Sequence, residues 1–140
     1  MKNIKINKNT SILYALKKMN TAGTKCLVVV DTNNIFLGTL TDGDLRRLIL
    51  RSKNLNLKIN KSYNEKSIFY FEKSMNLKKI KNKILKKKID LVPILDQDRR
   101  LKSYVTLDTD ITYPYKISNK NIKNPVIIMA GGKGTRLDPF

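Results

Sequence analysis

The chain has 140 residues, enough for one domain or two small ones, and sets 29 Lys and Arg against 11 Asp and Glu for a formal charge of +18. It holds no His and a single Cys, Cys26, which excludes His-based acid–base catalysis, an internal disulfide framework and a CxxC zinc site. The longest apolar runs, 26–30 and 126–130, fall far short of a membrane helix, and the start MKNIKINKNT lacks a signal peptide's apolar stretch, so a soluble, cytoplasmic protein with no membrane partner is expected.

In chain order, residues 9–11 offer a helix cap, and Ile12, Ala15, Leu16 and Met19 fall on one helical stripe that ends at Ala22-Gly23. Residues 27–30 are a buried-strand run. The Asp-Thr-Asn-Asn stretch at 31–34 is a turn, because Asp and Asn tolerate turn geometry. A second strand is expected over 35–40 and a second helix over 42–51, with Leu45, Leu48 and Ile49 on one side. Residues 52–66 are polar and read as a connector with a short turn at 59–63. A β-type run comes next at 68–71.

A shift of 65 residues, with no gap, repeats this pattern. Ile12 lands on Leu77, Ala15 on Ile80, Met19 on Ile84, strand 27–30 on 92–95, Asp31 on Asp96, Phe36 on Leu101, Leu40 on Val105 and Thr41 on Thr106. Two copies at so long a period are no solenoid. They predict an internally duplicated α/β domain with pseudo-twofold symmetry: unit one over 1–58, unit two over 59–112, then a linker over 113–124.

The positive charge has a plain explanation. Lys, Asn and Ile supply 54 of the 140 residues, as a drift towards AT-rich codons would give, and only 6 cations are Arg. The densest run, LKKIKNKILKKK at 77–88, interleaves lysines with Leu77, Ile80, Ile84 and Leu85 at helical spacing. It is the wet face of an amphipathic helix, and nucleic acid is not expected as a partner.

The first copy closes on Gly38-Thr39-Leu40-Thr41-Asp42-Gly43-Asp44, a strand passing straight into a helix. Thr41 at the N-cap and Asp44 at N3 make a capping-box variant, and acids in the first turn suit the dipole. The same geometry suits a ligand. A helix N-terminus presents unpaired N–H groups to a phosphate, Thr41 adds a hydroxyl, and the two oxygens of Asp44 match vicinal hydroxyls such as those of ribose. Gly38 leaves room for a ligand against the strand. In the second copy Thr106 is kept, Ser103 replaces Gly38, and Thr109 replaces Asp44, with Asp108 and Asp110 on either side. A helix turns about 100° per residue, so those acids are re-aimed, unless a turn one residue longer brings Asp110 into place. At most one well-formed cleft is expected, centred on the first motif.

Helix, strand, turn and Gly-h-h-Thr-x-x-Asp (h apolar), twice over 1–112, resembles the CBS domain pair, or Bateman module. That resemblance implies two small mixed sheets flanked by helices, packed about a pseudo-dyad, and a homodimer. It also implies clefts for adenosine ligands such as AMP, ADP, ATP or S-adenosylmethionine. It makes Gly38, Thr41, Asp42, Asp44, Thr106, Asp108 and Asp110 the candidate ligand residues, Asp44 for ribose and Thr41 for phosphate. A module that only packs and dimerises is the first rival, and a nucleic-acid binder using the lysine face at 78–88 is the second.

The tail VIIMAGGKGTRLDP at 126–139 is neither Walker A nor a Rossmann loop, because Gly134 follows Lys133 and Leu137 stands where a third glycine belongs. It is still a phosphate cradle of glycines, Lys133 and Arg136. It resembles the N-terminal signature of sugar-1-phosphate nucleotidyltransferases related to mannose-1-phosphate guanylyltransferase. The resemblance implies that Gly131, Gly132, Lys133, Gly134, Thr135 and Arg136 hold a nucleoside triphosphate, with Mg²⁺ in the complete enzyme. The acids, base-reading residues and sugar pocket of that chemistry are expected in a downstream catalytic domain. The chain is expected to be a truncated, inert piece of it, with no metal and no cofactor of its own.

Overall fold

The fold is seen in a computed structural model, which describes residues 3–60 and 62–109. Strand β1 (Lys5–Asn7), helix α1 (Ile12–Ala22), strands β2 (Cys26–Val30) and β3 (Phe36–Thr41) and helix α2 (Asp42–Ser52) make the first unit. Strand β4 (Tyr70–Phe71), a 3-10 turn (Glu72–Ser74), helix α3 (Leu77–Lys87) and strands β5 (Val92–Leu95) and β6 (Leu101–Val105) make the second. Each unit has one three-stranded mixed sheet, β1-β2-β3 and β4-β5-β6, in which the first pair is parallel and the second antiparallel.

The duplication holds down to irregularities of the backbone. The register slips between Val29 and Val30 in one sheet and between Ile94 and Leu95, 65 residues later, in the other. Left-handed backbone occurs at Gly23 and Lys88, which end α1 and α3, and at Asn34 and Arg99 in the two hairpin turns. Asp31 and Asp96 organise those turns alike, each accepting from the backbone N–H four residues on at 2.8 Å. Ile35 and Arg100, equivalent positions, meet in an antiparallel bridge, which marks where the pseudo-dyad passes. Phe36 N–H donates to the Arg99 carbonyl at 2.9 Å. The Phe69 ring packs edge-on against Phe36, and the Arg99 guanidinium lies over it, 5.4 Å from its centroid.

Two apolar clusters hold the fold. The larger takes Ile12, Ala15 and Met19 of α1, all of β2, Leu40 and Leu45, and also Leu91 and Leu95 of the second unit. The smaller belongs to the second unit alone: Ile80 and Ile84 of α3 against Val92, Ile94 and Val105. Val92 and Ile94 therefore serve α3 while Leu91 and Leu95 serve the partner unit.

Three expectations change. The sequence pattern predicts no strand over 4–7, yet Ile4 and Ile6 are buried at alternate positions and β1 runs parallel to β2. The polar connector is pinned rather than loose. Ile12 and Leu13 donate to the Leu57 and Leu55 carbonyls, Ile59 is fully buried, and Asn64 exchanges two backbone hydrogen bonds with Thr39 at 2.8 and 3.2 Å. The chain thus stays on the first unit beyond the boundary expected at 58/59. Leu85, expected on the apolar stripe, is instead 59% exposed. Residue 110 and everything after it, including Asp110, the linker at 113–124 and the glycine-rich loop at 131–136, lie outside the described residues.

Candidate functional site

At the first junction β3 runs into α2 with no intervening residue. Thr41 is the N-cap, in extended backbone (φ −96°, ψ 163°), and its Oγ accepts from Asp44 N–H at 3.2 Å. Asp44 Oδ2 in turn accepts from Thr41 N–H at 2.9 Å and from the Thr41 hydroxyl at 2.7 Å. The box is closed, and the one hydroxyl proton of Thr41 is given to Asp44 rather than presented outward. Asp44 Oδ1 accepts from Arg47 Nη2 at 2.6 Å. The Asp44 side chain is 19% exposed and that of Arg47 64%. Asp42 faces outward and pairs with Arg46 at 2.7 Å.

Gly38 needs a different explanation from the one its sequence suggests. A Cβ there would collide with the Asn64 carbonyl and come within 2.9 Å of the Tyr63 ring. The missing side chain makes room for the connector strand and not for a ligand.

At the second junction Thr109 takes the place of Asp44. Its Oγ1 accepts from Thr106 N–H at 2.7 Å and lies 3.0 Å from the Thr106 hydroxyl. No one-residue slip occurs, so this box is neutral. Asp108 is exposed. A cleft of about 410 Å³ opens between the units beside this second junction. Gly23, Thr24 and Lys25 line it from the first unit, and Asp90, Thr106 and Asp108 from the second. At the first motif Asn64 packs over Gly38, and Arg47 pairs with Asp44.

The two junctions are not electrically separate. Cys26, at the start of β2, is buried, and burial first, then the carboxylates of Asp90 and Asp44, push its thiol up to about 12 against a hydrogen bond with Thr39. One buried position thus senses an acid from each unit.

Residues 1–51 match the family model described as CBS domain. CBSX2, solved in complex with AMP, is 23% identical with a TM-score of 0.63, over 72% of this chain and 78% of that one. The CBS domain pair of protein MJ0100, solved in complex with 5′-methylthioadenosine and S-adenosyl-L-methionine, is 25% identical with a TM-score of 0.63, over 74% and 81%. The fold is that of a CBS domain pair. Arabinose 5-phosphate isomerase GutQ of Salmonella typhimurium is 26% identical to the pair over 98 residues, which are 70% of this chain. The chain spans 30% of the length of that curated relative.

Of the candidate ligand residues, the structure brings Thr41 and Asp44 together, brings Thr106 beside Asp108 at the cleft, and turns Asp42 away. The reading from sequence missed Lys25 and Asp90. Their signal was available, since they are equivalent under the 65-residue shift and flank both junctions. Among the described residues no group of three or more His, Cys, Asp or Glu is placed to hold a metal ion. No helix among them is long and apolar enough to cross a membrane.

Proposed function

We propose that this CBS pair is a cytoplasmic, regulatory and dimer-forming segment of a sugar-1-phosphate nucleotidyltransferase, and that its first junction binds an adenosine-containing ligand. One observation carries the binding reading: the Asp44 carboxylate, held by two hydrogen bonds from Thr41, presents Oδ1 towards a single exposed, movable partner, Arg47. A ribose diol that displaced Arg47 would find an acceptor already oriented, which lowers the cost of ordering the site. The likeness to structures solved with AMP and with S-adenosyl-L-methionine supports the ligand class. At the second junction Thr109 leaves no carboxylate in that place. There Lys25, Thr106 and Asp108 offer a cleft within the usual range of about 300–1,000 Å³ for small ligands.

The transferase reading is supported by residues 126–139 alone. It places this segment upstream of a catalytic domain that joins a nucleoside triphosphate to a sugar 1-phosphate and releases pyrophosphate. Among the described residues no group of three or more acids is placed to hold a metal ion, and the Mg²⁺ of that chemistry belongs to the catalytic domain.

Calorimetric titration with AMP, ADP, ATP and S-adenosylmethionine tests the binding. Asp44→Asn keeps an oxygen for Thr41 but removes the charge, and should weaken binding about tenfold or more. Silence with every adenosine ligand would overturn the reading in favour of a module that only packs and dimerises, and equal affinity in the Asn variant would overturn the placing of the ligand on Asp44.

A further inference from the structure

We propose that Arg47 is the selector that makes the first junction prefer phosphorylated over unphosphorylated adenosine ligands. The inference rests on the binding reading above and adds the ligand class that Asp44 alone leaves open. Of the two solved relatives, one holds a nucleotide and the other holds sulfur-linked adenosine ligands without a phosphate.

The geometry is that of an occupied acceptor. Asp44 Oδ2 already takes two hydrogen bonds from Thr41, at 2.7 and 2.9 Å, so a ribose hydroxyl must use Oδ1. Oδ1 is taken by Arg47 at 2.6 Å. An ionised carboxylate has about four acceptor sites, of which Thr41 and Arg47 take three, so a ribose diol that donates both hydroxyl protons to Asp44 displaces Arg47. The fate of the freed guanidinium depends on the rest of the ligand. A nucleoside without phosphate leaves it with water alone. A nucleotide brings an anion to the same helix N-terminus, where a guanidinium can bind it with two parallel hydrogen bonds. Binding then exchanges one charge-assisted pair for another.

Arg47 is able to make that exchange. Its side chain is 64% exposed, and its guanidinium lies over Gly43, whose absent Cβ would stand 3.6 Å from Nη1. The neighbouring Arg46 supplies an internal comparison. It carries the same charge on the same helix but pairs with Asp42, and its side chain is 72% exposed.

The experiment measures the affinities of AMP and adenosine for the wild-type chain and for Arg47→Gln, Arg47→Lys and Arg46→Gln, by calorimetry at fixed ionic strength. The wild type should favour AMP. Arg47→Gln should weaken AMP by about tenfold or more while adenosine holds or tightens, by up to about fivefold, because its competitor for Oδ1 is gone. Arg47→Lys should restore part of the AMP preference. Arg46→Gln should move both ligands little and in parallel. A ratio of AMP to adenosine affinity that stays unchanged in Arg47→Gln, or that Arg46→Gln shifts equally, would overturn the selector role while leaving adenosine binding intact. No binding of either ligand to the wild type would overturn the binding reading, and the selector with it.

Discussion

Lys88 and Arg99 hold left-handed backbone, at φ 51° and 60°, in positions where the first unit has Gly23 and Asn34. An L-residue with a Cβ is strained there by about 1–2 kcal/mol, and glycine is not. Lys88→Gly should therefore raise stability by about 0.5–1 kcal/mol, read as a shift of the urea midpoint at constant slope, whereas Gly23→Ala should lower it by about 1 kcal/mol. A loss of stability in Lys88→Gly would show that the lysine stem packs usefully at the end of α3. Cys26 gives a second residue-scale prediction. Its thiol is raised from 9.0 to about 12 because the buried site disfavours the thiolate. A group whose folded pKa lies above its unfolded value adds stability that is complete below the unfolded value and is lost as pH rises towards the folded one. The Cys26 contribution should then fade between about pH 9 and pH 12. Folded protein at pH 8 should resist a thiol reagent, and urea should expose the thiol; prompt labelling of the native chain would contradict this burial.

Helix α3 shows how one element can be well capped and still carry electrostatic strain. Asn76 Oδ1 accepts from Lys79 N–H at 3.0 Å, and Ile80 and Ile84 anchor the helix in the second core. Yet Lys78 and Lys79 sit in its first turn, where the dipole repels cations, and Lys79 and Lys83 are like charges one turn apart. Lys79→Glu would complete a capping box with Asn76 and pair with Lys83. It should add about 0.5–1 kcal/mol in low salt and less in 1 M NaCl, by thermal melting at both ionic strengths. The edge of β3 shows the opposite case, an element sealed by backbone. The exchange of hydrogen bonds between Thr39 and Asn64 needs Gly38 to lack a Cβ. Gly38→Ala should cost about 1–3 kcal/mol and deprotect the Asn64 amide in hydrogen exchange, while an unchanged amide would mean that the connector yields without leaving the strand.

At the scale of the molecule, the decisive feature is the shared core. Leu95 belongs to the second sheet but is fully buried in the cluster built mainly by the first unit. Leu95→Ala should cost about 2–5 kcal/mol and lower one common transition for both units. Ile84→Ala, confined to the second cluster, should leave the first unit's amides the better protected. Two separate transitions in the wild type would mean that the shared apolar contact does not couple the units. The bridge between Ile35 and Arg100, the Arg99 guanidinium over Phe69 and the edge-on packing of Phe69 against Phe36 lie on the same boundary and work in the same direction.

What was legible in the sequence was whatever depends on local chemistry repeated at a fixed interval. The stripe of Ile12, Ala15 and Met19, the strand runs, the Asp31 and Asp96 turns and the Thr41–Asp44 box each arise from side chains acting within a few residues. Their recurrence after 65 residues was enough to imply the pseudo-dyad, and the resemblance to the CBS pair carried by the repeated motif implied the two mixed sheets. Other features were settled only when distant segments met. Lys5–Asn7 form a strand because β2 lies alongside them. Gly38 is a glycine because Asn64 passes over it. A cleft opens by Lys25 and Asp90 because residues of both units line it. Periodicity and capping are properties of one stretch of chain, whereas which surface is covered and which cavity stays open are properties of pairs of segments that the tertiary fold alone brings together.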